Sequence, residues 1–240
     1  MIKLEKKESI YFLTMDAGEN RWNTTFVREI AKALDTIEDD EGPGALITSA
    51  TDSKFFSNGL DLDWMQAPED YPDGGDREVF GEEFMYLMGR FITLPIPTIC
   101  ALNGHTFGAG FMFALSHDFR IMREDRGFLC ANEMQLGLPI PRPELALFKH
   151  KIPANAFFET VQLSKRWTGT DALEAGIVQE VSSFEELSNA ALIKAKELSP
   201  LANNRKNFGH QKEMLYGENA AINLAHGPAF MLKNSKDFEV

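Results

Sequence analysis

The chain has 240 residues, 44% of them hydrophobic and 25% charged, with a formal net charge of −12. This is ordinary globular composition with enough apolar residue for one sizeable core, and it lacks the basic stripe of a nucleic-acid footprint. The negative field also disfavours polyanionic ligands, so a phosphate-bearing substrate calls for a local basic patch.

In chain order, Ser9 to Met15 is predicted as the first strand, after a charged N-terminal octet without an apolar core. Asp16 to Arg21 is rich in Gly, Asn and Asp and predicts a turn. Thr24 or Thr25 is placed to cap a helix with Phe26, Ile30, Ala33, Leu34 and Ile37 on its apolar face. The acidic run from Glu38 and Gly42-Pro43-Gly44 end it. Ala45 to Ser49 is a short buried-type strand, and Phe55-Phe56 extends another. A helix begins over Asp61 to Met65, with Asp61 as its N-cap, and Ala67 to Arg77 is a surface loop rich in Pro, Asp and Gly. Val79 to Leu94 carries Phe80, Phe84, Leu87, Met88 and Phe91 on one helical face and stops at Pro95 and Pro97.

Ile99 to Leu102 is the next strand, followed by a glycine turn and a helix, then short strands at Phe119 to Met122 and Phe128 to Cys130. From Pro141 the chain reads helical, with a capped short helix at Thr168 to Gly176, a late strand at Ile177 to Val181 and a helix at Phe184 to Leu198. Residues 201–240 are more polar, with one or two helices expected. Strands alternating with helices over the first 180 residues argue an α/β fold.

The two cysteines, Cys100 and Cys130, lie in apolar segments and are expected as buried thiols, which fits a reducing compartment. No apolar run approaches the roughly 18 residues of a membrane span. The charged N-terminus is unlike a signal peptide, and the C-terminal Asp-Phe-Glu-Val is unlike a peroxisomal address. The expectation is a cytoplasmic chain with no membrane or nucleic-acid partner; an import segment removed ahead of the numbering stays open. The five histidines are scattered and form no metal pattern; His117-Asp118 reads as a local hydrogen-bonded pair at a helix end.

Three segments carry the chemistry. Ala101 to Asp118 joins an apolar strand to Asn103-Gly104 and then to a Gly108-Ala109-Gly110 turn that opens an apolar helix. Such a turn leaves backbone N–H groups unpaired, and these can hold negative charge developing on a substrate oxygen. Lys54-Phe-Phe-Ser-Asn-Gly-Leu-Asp61 lies upstream and Asn132-Glu-Met-Gln-Leu-Gly-Leu138 downstream.

Together these segments resemble the crotonase family, the enoyl-CoA hydratases and isomerases. The likeness runs from the first strand to about Val181. Lys54 to Asp61 resembles the first oxyanion segment, with Ser57-Asn58 in place of small residues and Gly59 and Asp61 matching. Pro95 to Gly104 with Gly108-Ala109-Gly110 resembles the second, and Thr168 to Val178 resembles the stretch that closes the core. The resemblance implies a crotonase (ClpP-like) spiral of repeated ββα units over residues 1–195. A helical region over 196–240 would pack on the core or on a neighbouring subunit of a homotrimer or hexamer. It also implies acyl-CoA thioester chemistry through an enolate, with the carbonyl held by the N–H groups of Leu60 and Ala109, and with no cofactor beyond the coenzyme A of the substrate. Gly59, Gly108 and Gly110 would permit the tight turns.

Hydratases of this family use two glutamates. At the position of one stands Met112, and at the other Glu133. Activating water needs polar groups that Met112 cannot supply, whereas a single carboxylate can take a proton from C2 and return it at C4. One glutamate opposite an apolar residue, within Asn-Glu-x-Gln-Leu-Gly, resembles the Δ3,Δ2-enoyl-CoA isomerases. Glu133 is therefore the expected acid/base, its pKa raised by an apolar wall of Met112, Phe107 and Leu136. Glu144 is the main rival carboxylate, expected behind the pocket rather than in it. Trp64 and Phe91 read as core or pocket wall. Arg21, Lys54, Lys233 and Lys236 are candidates for the coenzyme A phosphates. Pro139 to Pro143 replaces a glycine-rich segment of many hydratases. Two other readings stand beside the isomerase: another enolate chemistry such as dehydration or decarboxylation of a specialised acyl-CoA, and a CoA-binding oligomer without catalysis.

Overall fold

A computed structural model describes residues 1–67 and 74–238. The predicted loop at 67–77 falls largely outside the described residues. The chain opens with an antiparallel hairpin, β1 (Ile2–Lys7) against β2 (Ile10–Met15). The sequence reading missed β1, although Ile2 and Leu4 alternate with charged residues in the period-two pattern of an edge strand. Helix α1 (Thr24–Glu38) follows, capped by Asn23 rather than by Thr24 or Thr25. The Asn23 side-chain oxygen accepts from Phe26 N at 2.9 Å, while the Thr24 hydroxyl donates to Asp76 O.

Three strand–strand–helix units then repeat. The first is β3 (Ala45–Ala50) and β4 (Phe55–Ser57) with α2 (Leu62–Gln66) and α3 (Phe80–Thr93). The second is β5 (Thr98–Leu102) and β6 (His105–Phe107) with α4 (Ala109–Leu115). The third is β7 (Phe119–Arg123) and β8 (Leu129–Cys130), followed by a 3₁₀ turn at Glu133–Leu136 and α5 (Arg142–Lys151). Strand β6 was not foreseen: three residues after a glycine corner are too few to show a period. The chain continues through α6 (Ala154–Val161), α7 (Gly169–Glu174), β9 (Glu180–Ser182) and α8 (Phe184–Leu198) to α9 (Arg205–Tyr216) and α10 (Pro228–Lys233). The late strand lies at Glu180–Ser182 and not at Ile177–Val181, because Ile177 and Val178 are buried in the turn after α7, where both donate their N–H groups to Ala172 O.

The first strand of each unit enters one sheet, ordered β1-β2-β3-β5-β7-β9 and parallel beyond the hairpin; the second enters a small parallel sheet, β4-β6-β8. This is the α/β spiral of ββα units that the resemblance implies. Successive units advance both sheets by one strand, so the ends of β4, β6 and β8 lie side by side. The main core packs α1, α3, α4 and α5 around Trp22, Phe26, Phe91, Phe113 and Phe148. Helix α8 covers the far face of the large sheet through Leu187, Ala191 and Ala195. Helices α9 and α10 return to pack on α3, and α10 also on α5. Cys100 and Cys130 are free and buried.

Candidate active site

Each strand of the small sheet ends in one element of the site. After β4, Gly59 adopts φ +80° and brings the chain beside Trp22, whose N–H donates to Gly59 O while Asp61 N–H donates to Trp22 O, both at 2.9 Å. Alternate residues of an extended chain point opposite ways, so Leu60 N–H faces away from Trp22 and has no acceptor among the described residues. Asp61 accepts from Trp64 N at 3.1 Å, the N-cap foreseen for α2.

After β6, Gly108 N–H donates to Cys130 O of β8 at 3.0 Å, and Gly108 turns at φ +48° into α4. Its carbonyl accepts from Phe111 and Met112, leaving Ala109 N–H at the helix start without a partner. A methyl carbon built on Gly59 would lie 3.9 Å from Ala109 N, so the two open N–H groups flank one spot. After β8, Asn132 leads into the 3₁₀ turn, closed by Gly137 at φ +70°, and Glu133 reaches back towards Gly108. A methyl on Gly108 would stand 3.1 Å from Glu133 Oε1 and 3.5 Å from Asn132 Oδ1.

These groups line one cavity of about 300 Å³, together with Arg21, Asn58, Met112, Leu136 and Glu144. Glu133 Oε2 is buried and accepts no hydrogen bond. Burial raises the Glu133 carboxyl above the ordinary glutamate value. Met112, 3% exposed, presents an apolar thioether side chain to this cavity. The structure thus brings together Glu133, Leu60, Ala109, Gly59, Gly108, Met112, Leu136 and Arg21.

Gly110, Phe107 and Lys54 do not line this cavity. Gly110 packs under it, where a methyl would come 2.6 Å from Ser57 Oγ, so α4 can approach β4 only because position 110 is bare. Phe107 lies on β6, its ring stacked on His105 and beside Arg166; alternation along the strand turns it away from the cavity. Lys54 lies over the Phe55 ring, 4.8 Å from its centroid. Of the other cations proposed for phosphate, Arg21 pairs with Glu19, Lys233 with Glu213 and Lys236 with Glu82. Trp64 and Phe91 are core.

The expected His117–Asp118 pair does not form. His117 bonds Phe113 O and Thr48 Oγ1, each at 2.8 Å, and burial pushes it down to about 3. Asp118 accepts from Lys212 Nζ at 2.6 Å and from Thr98 N at 2.9 Å. The sequence reading placed Glu144 behind the pocket, but it is in the wall, 7% exposed, with burial and then the charge of Glu133 raising it to about 8. Asn132, one residue before the expected base, was also missed. Pro141 and Pro143 hold Glu144 in the first turn of α5; that placement is visible in the sequence only once Pro139 to Pro143 is known to border the cavity.

A ββα spiral with its cavity at the strand ends of the small sheet defines an enzyme of the crotonase class. The sequence model described as enoyl-CoA hydratase/isomerase matches residues 5–219. The chain belongs to that family. The peroxisomal enoyl-CoA delta isomerase 2 of Arabidopsis thaliana is 35% identical over 78% of this chain and 79% of its own length. A probable enoyl-CoA hydratase from Mycobacterium tuberculosis superposes with a TM-score of 0.79 at 25% identity, covering 98% of this chain and 92% of that one. The human mitochondrial delta3-delta2-enoyl-CoA isomerase shares the fold, with a TM-score of 0.80 at 23% identity over 98% and 87% of the two chains. Among the described residues no helix is long and apolar enough to cross a membrane, and no group of three or more His, Cys, Asp or Glu side chains is placed to hold a metal ion.

Proposed function

We propose that the chain moves the double bond of a 3-enoyl-CoA to give the trans-2-enoyl-CoA, with Glu133 as the proton-transferring group. The observation that carries this reading is the buried, unpartnered Glu133 Oε2 beside Gly108-Ala109, with Met112 in place of a second glutamate. The thioester oxygen accepts from Leu60 and Ala109 N–H. Glu133 removes a C2 proton, and the negative charge moves onto that oxygen as the enolate forms. Each such donor contributes roughly 10²–10³ in rate where one has been removed in other enzymes. The protein's isomerase relative in Arabidopsis supports the same reading.

No cofactor is needed beyond the coenzyme A of the substrate. Lys54 is the candidate for its phosphates that forms no ion pair among the described residues. We propose a homotrimer or hexamer: Phe158, Leu163 and Leu224 are 61%, 59% and 99% exposed, apolar surface that a partner subunit would cover. Light scattering on the purified chain tests this, and a monomer refutes it. The cytoplasm is kept as the proposed setting, to be tested by fractionation against the peroxisome named for the Arabidopsis relative.

A second reading rests on Glu144. A carboxyl in the wall beside Glu133 gives the cavity the two acids that hydration or dehydration requires. The deciding experiment follows trans-3-hexenoyl-CoA and crotonyl-CoA with wild type and Glu133→Gln. Isomerisation without hydration, reduced by about 10²-fold or more in the variant, is expected. Hydration of crotonyl-CoA favours the second reading, and silence on both substrates with thioester binding retained favours a non-catalytic binder.

A further inference from the structure

Glu144 is the second carboxyl in the lining of the cavity, and the one-base mechanism leaves it unused. It sits in the first turn of α5, behind the rigid Pro139–Pro143 segment, and lines the same cavity as Glu133, Leu60 and Ala109. It is buried, yet its carboxyl makes no hydrogen bond or ion pair with any described residue. A carboxyl so placed and unpaired is costly to ionise and free to meet whatever enters the cavity. Leu138, Pro139 and Pro141 line the same cavity and add no polar side chain to it.

Resting on the isomerase reading, we propose that proton transfer is divided between two carboxyl groups: Glu133 takes the proton from C2 and Glu144 gives one to C4. Burial and then the Glu133 charge raise Glu144 to about 8, so at neutral pH it holds a proton. Helices α4, α6 and α10 and the 3₁₀ turn Ser235–Phe238, which carries Lys236 and Asp237, pack on α5, and from them no further charged group among the described residues acts on Glu144. In the forward step the C2–H electron pair becomes the C1–C2 double bond of the enolate, and the C1 carbonyl pair moves to oxygen. On collapse the carbonyl reforms, the pair shifts to C2–C3, and the former C3–C4 pair takes the Glu144 proton at C4. Glu133 ends protonated and Glu144 ionised; one proton passed from Glu133 to Glu144 resets the site. No oxidant or added reactant is involved.

The test is a single turnover of trans-3-hexenoyl-CoA carrying deuterium at C2, run in ordinary water with wild type, Glu144→Gln and Glu144→Leu, each checked by thermal melting. Wild type should deliver hydrogen rather than deuterium to C4. In the variants the return falls to Glu133, so deuterium at C4 should rise while kcat falls by about tenfold or more. The wild-type kcat should also decline as pH rises through about 8, where Glu144 loses its proton, and this limb should vanish in Glu144→Gln. Wild type that carries deuterium to C4, or folded variants with unchanged kcat and labelling, overturns the proposal and leaves the isomerase reading standing. Wild type that does not convert the 3-enoyl substrate overturns both.

Discussion

Gly108→Ala separates the backbone cost of this turn from its effect on Glu133, the proposed base. Gly108 holds φ +48°, and a methyl there comes 3.1 Å from Glu133 Oε1, inside the 3.4 Å at which ordinary contact begins. The carboxylate must therefore retreat by about 0.3 Å, and if a misplacement of about 1 Å costs about 10²-fold in rate, this one costs about fourfold. The positive φ adds a folding cost of roughly 1–2 kcal/mol for alanine. In a chain of this size that lowers Tm by about 2–8 °C. Gly18→Ala is the control: its φ is +59° and a methyl there meets nothing within 4 Å. Both variants should melt lower to a similar degree, while only Gly108→Ala loses kcat on trans-3-hexenoyl-CoA. If Gly108→Ala keeps wild-type kcat, or Gly18→Ala loses as much, the placement of Glu133 against this turn is wrong.

Acid sensitivity should trace to His117. Its folded pKa lies near 3 against the ordinary histidine value of 6.5, so between those values the unfolded chain binds the proton that the folded chain refuses. The stability is fully present above pH 6.5 and is lost as pH falls towards 3; His117→Gln should flatten Tm against pH across that window, and an unchanged slope would clear His117 of the effect. Lys212→Met tests the buried pair that ties α9 to the core. Burial opposes ionisation of Asp118, yet Lys212 and Lys151 together hold it below the usual carboxylate value. Removing Lys212 should cost about 3–5 kcal/mol in denaturant unfolding. Adding Asp118→Asn should recover part of that loss, and a single variant as stable as wild type would show that the pair contributes nothing.

Most of the site was legible because its parts are local. Gly59, Gly108 and the Asn-Glu-Met-Gln-Leu-Gly segment are marked by residue types that turns and 3₁₀ corners demand, and the structure sets all three around one cavity. The misses have one physical cause: direction. Phe107, expected in the apolar wall around Glu133, lies on β6, a strand too short to show the alternation that turns its ring towards His105. Glu144, eleven positions past Glu133, is expected behind the pocket because the resemblance puts a packing helix there. Only the proline-bound path through Pro139–Pro143 brings it back. His117 and Asp118, neighbours in sequence, bond to Thr48 and Lys212, partners supplied by β3 and α9.

The repeat explains why point substitution can change the chemistry without disturbing the frame. Each ββα unit ends its inner strand at the same edge: β4 delivers Leu60 N–H, β6 delivers Ala109 N–H, and β8 delivers Glu133. The two donors are main-chain groups, fixed by hydrogen bonds from Trp22 to Gly59 and from Gly108 to Cys130, so side-chain exchange barely alters them. On the proposed mechanism, what remains free to vary is the acid–base set that faces them. In this chain it comprises an apolar Met112 on α4, a desolvated Glu133 after β8 and a protonated Glu144 on α5. A carboxylate on α4 and one on α5 approach the cavity from different helices. Under the proposed division of proton transfer, exchanging one for the other would change which substrate carbon receives a proton, while the oxygen bearing the charge would stay where the spiral puts it.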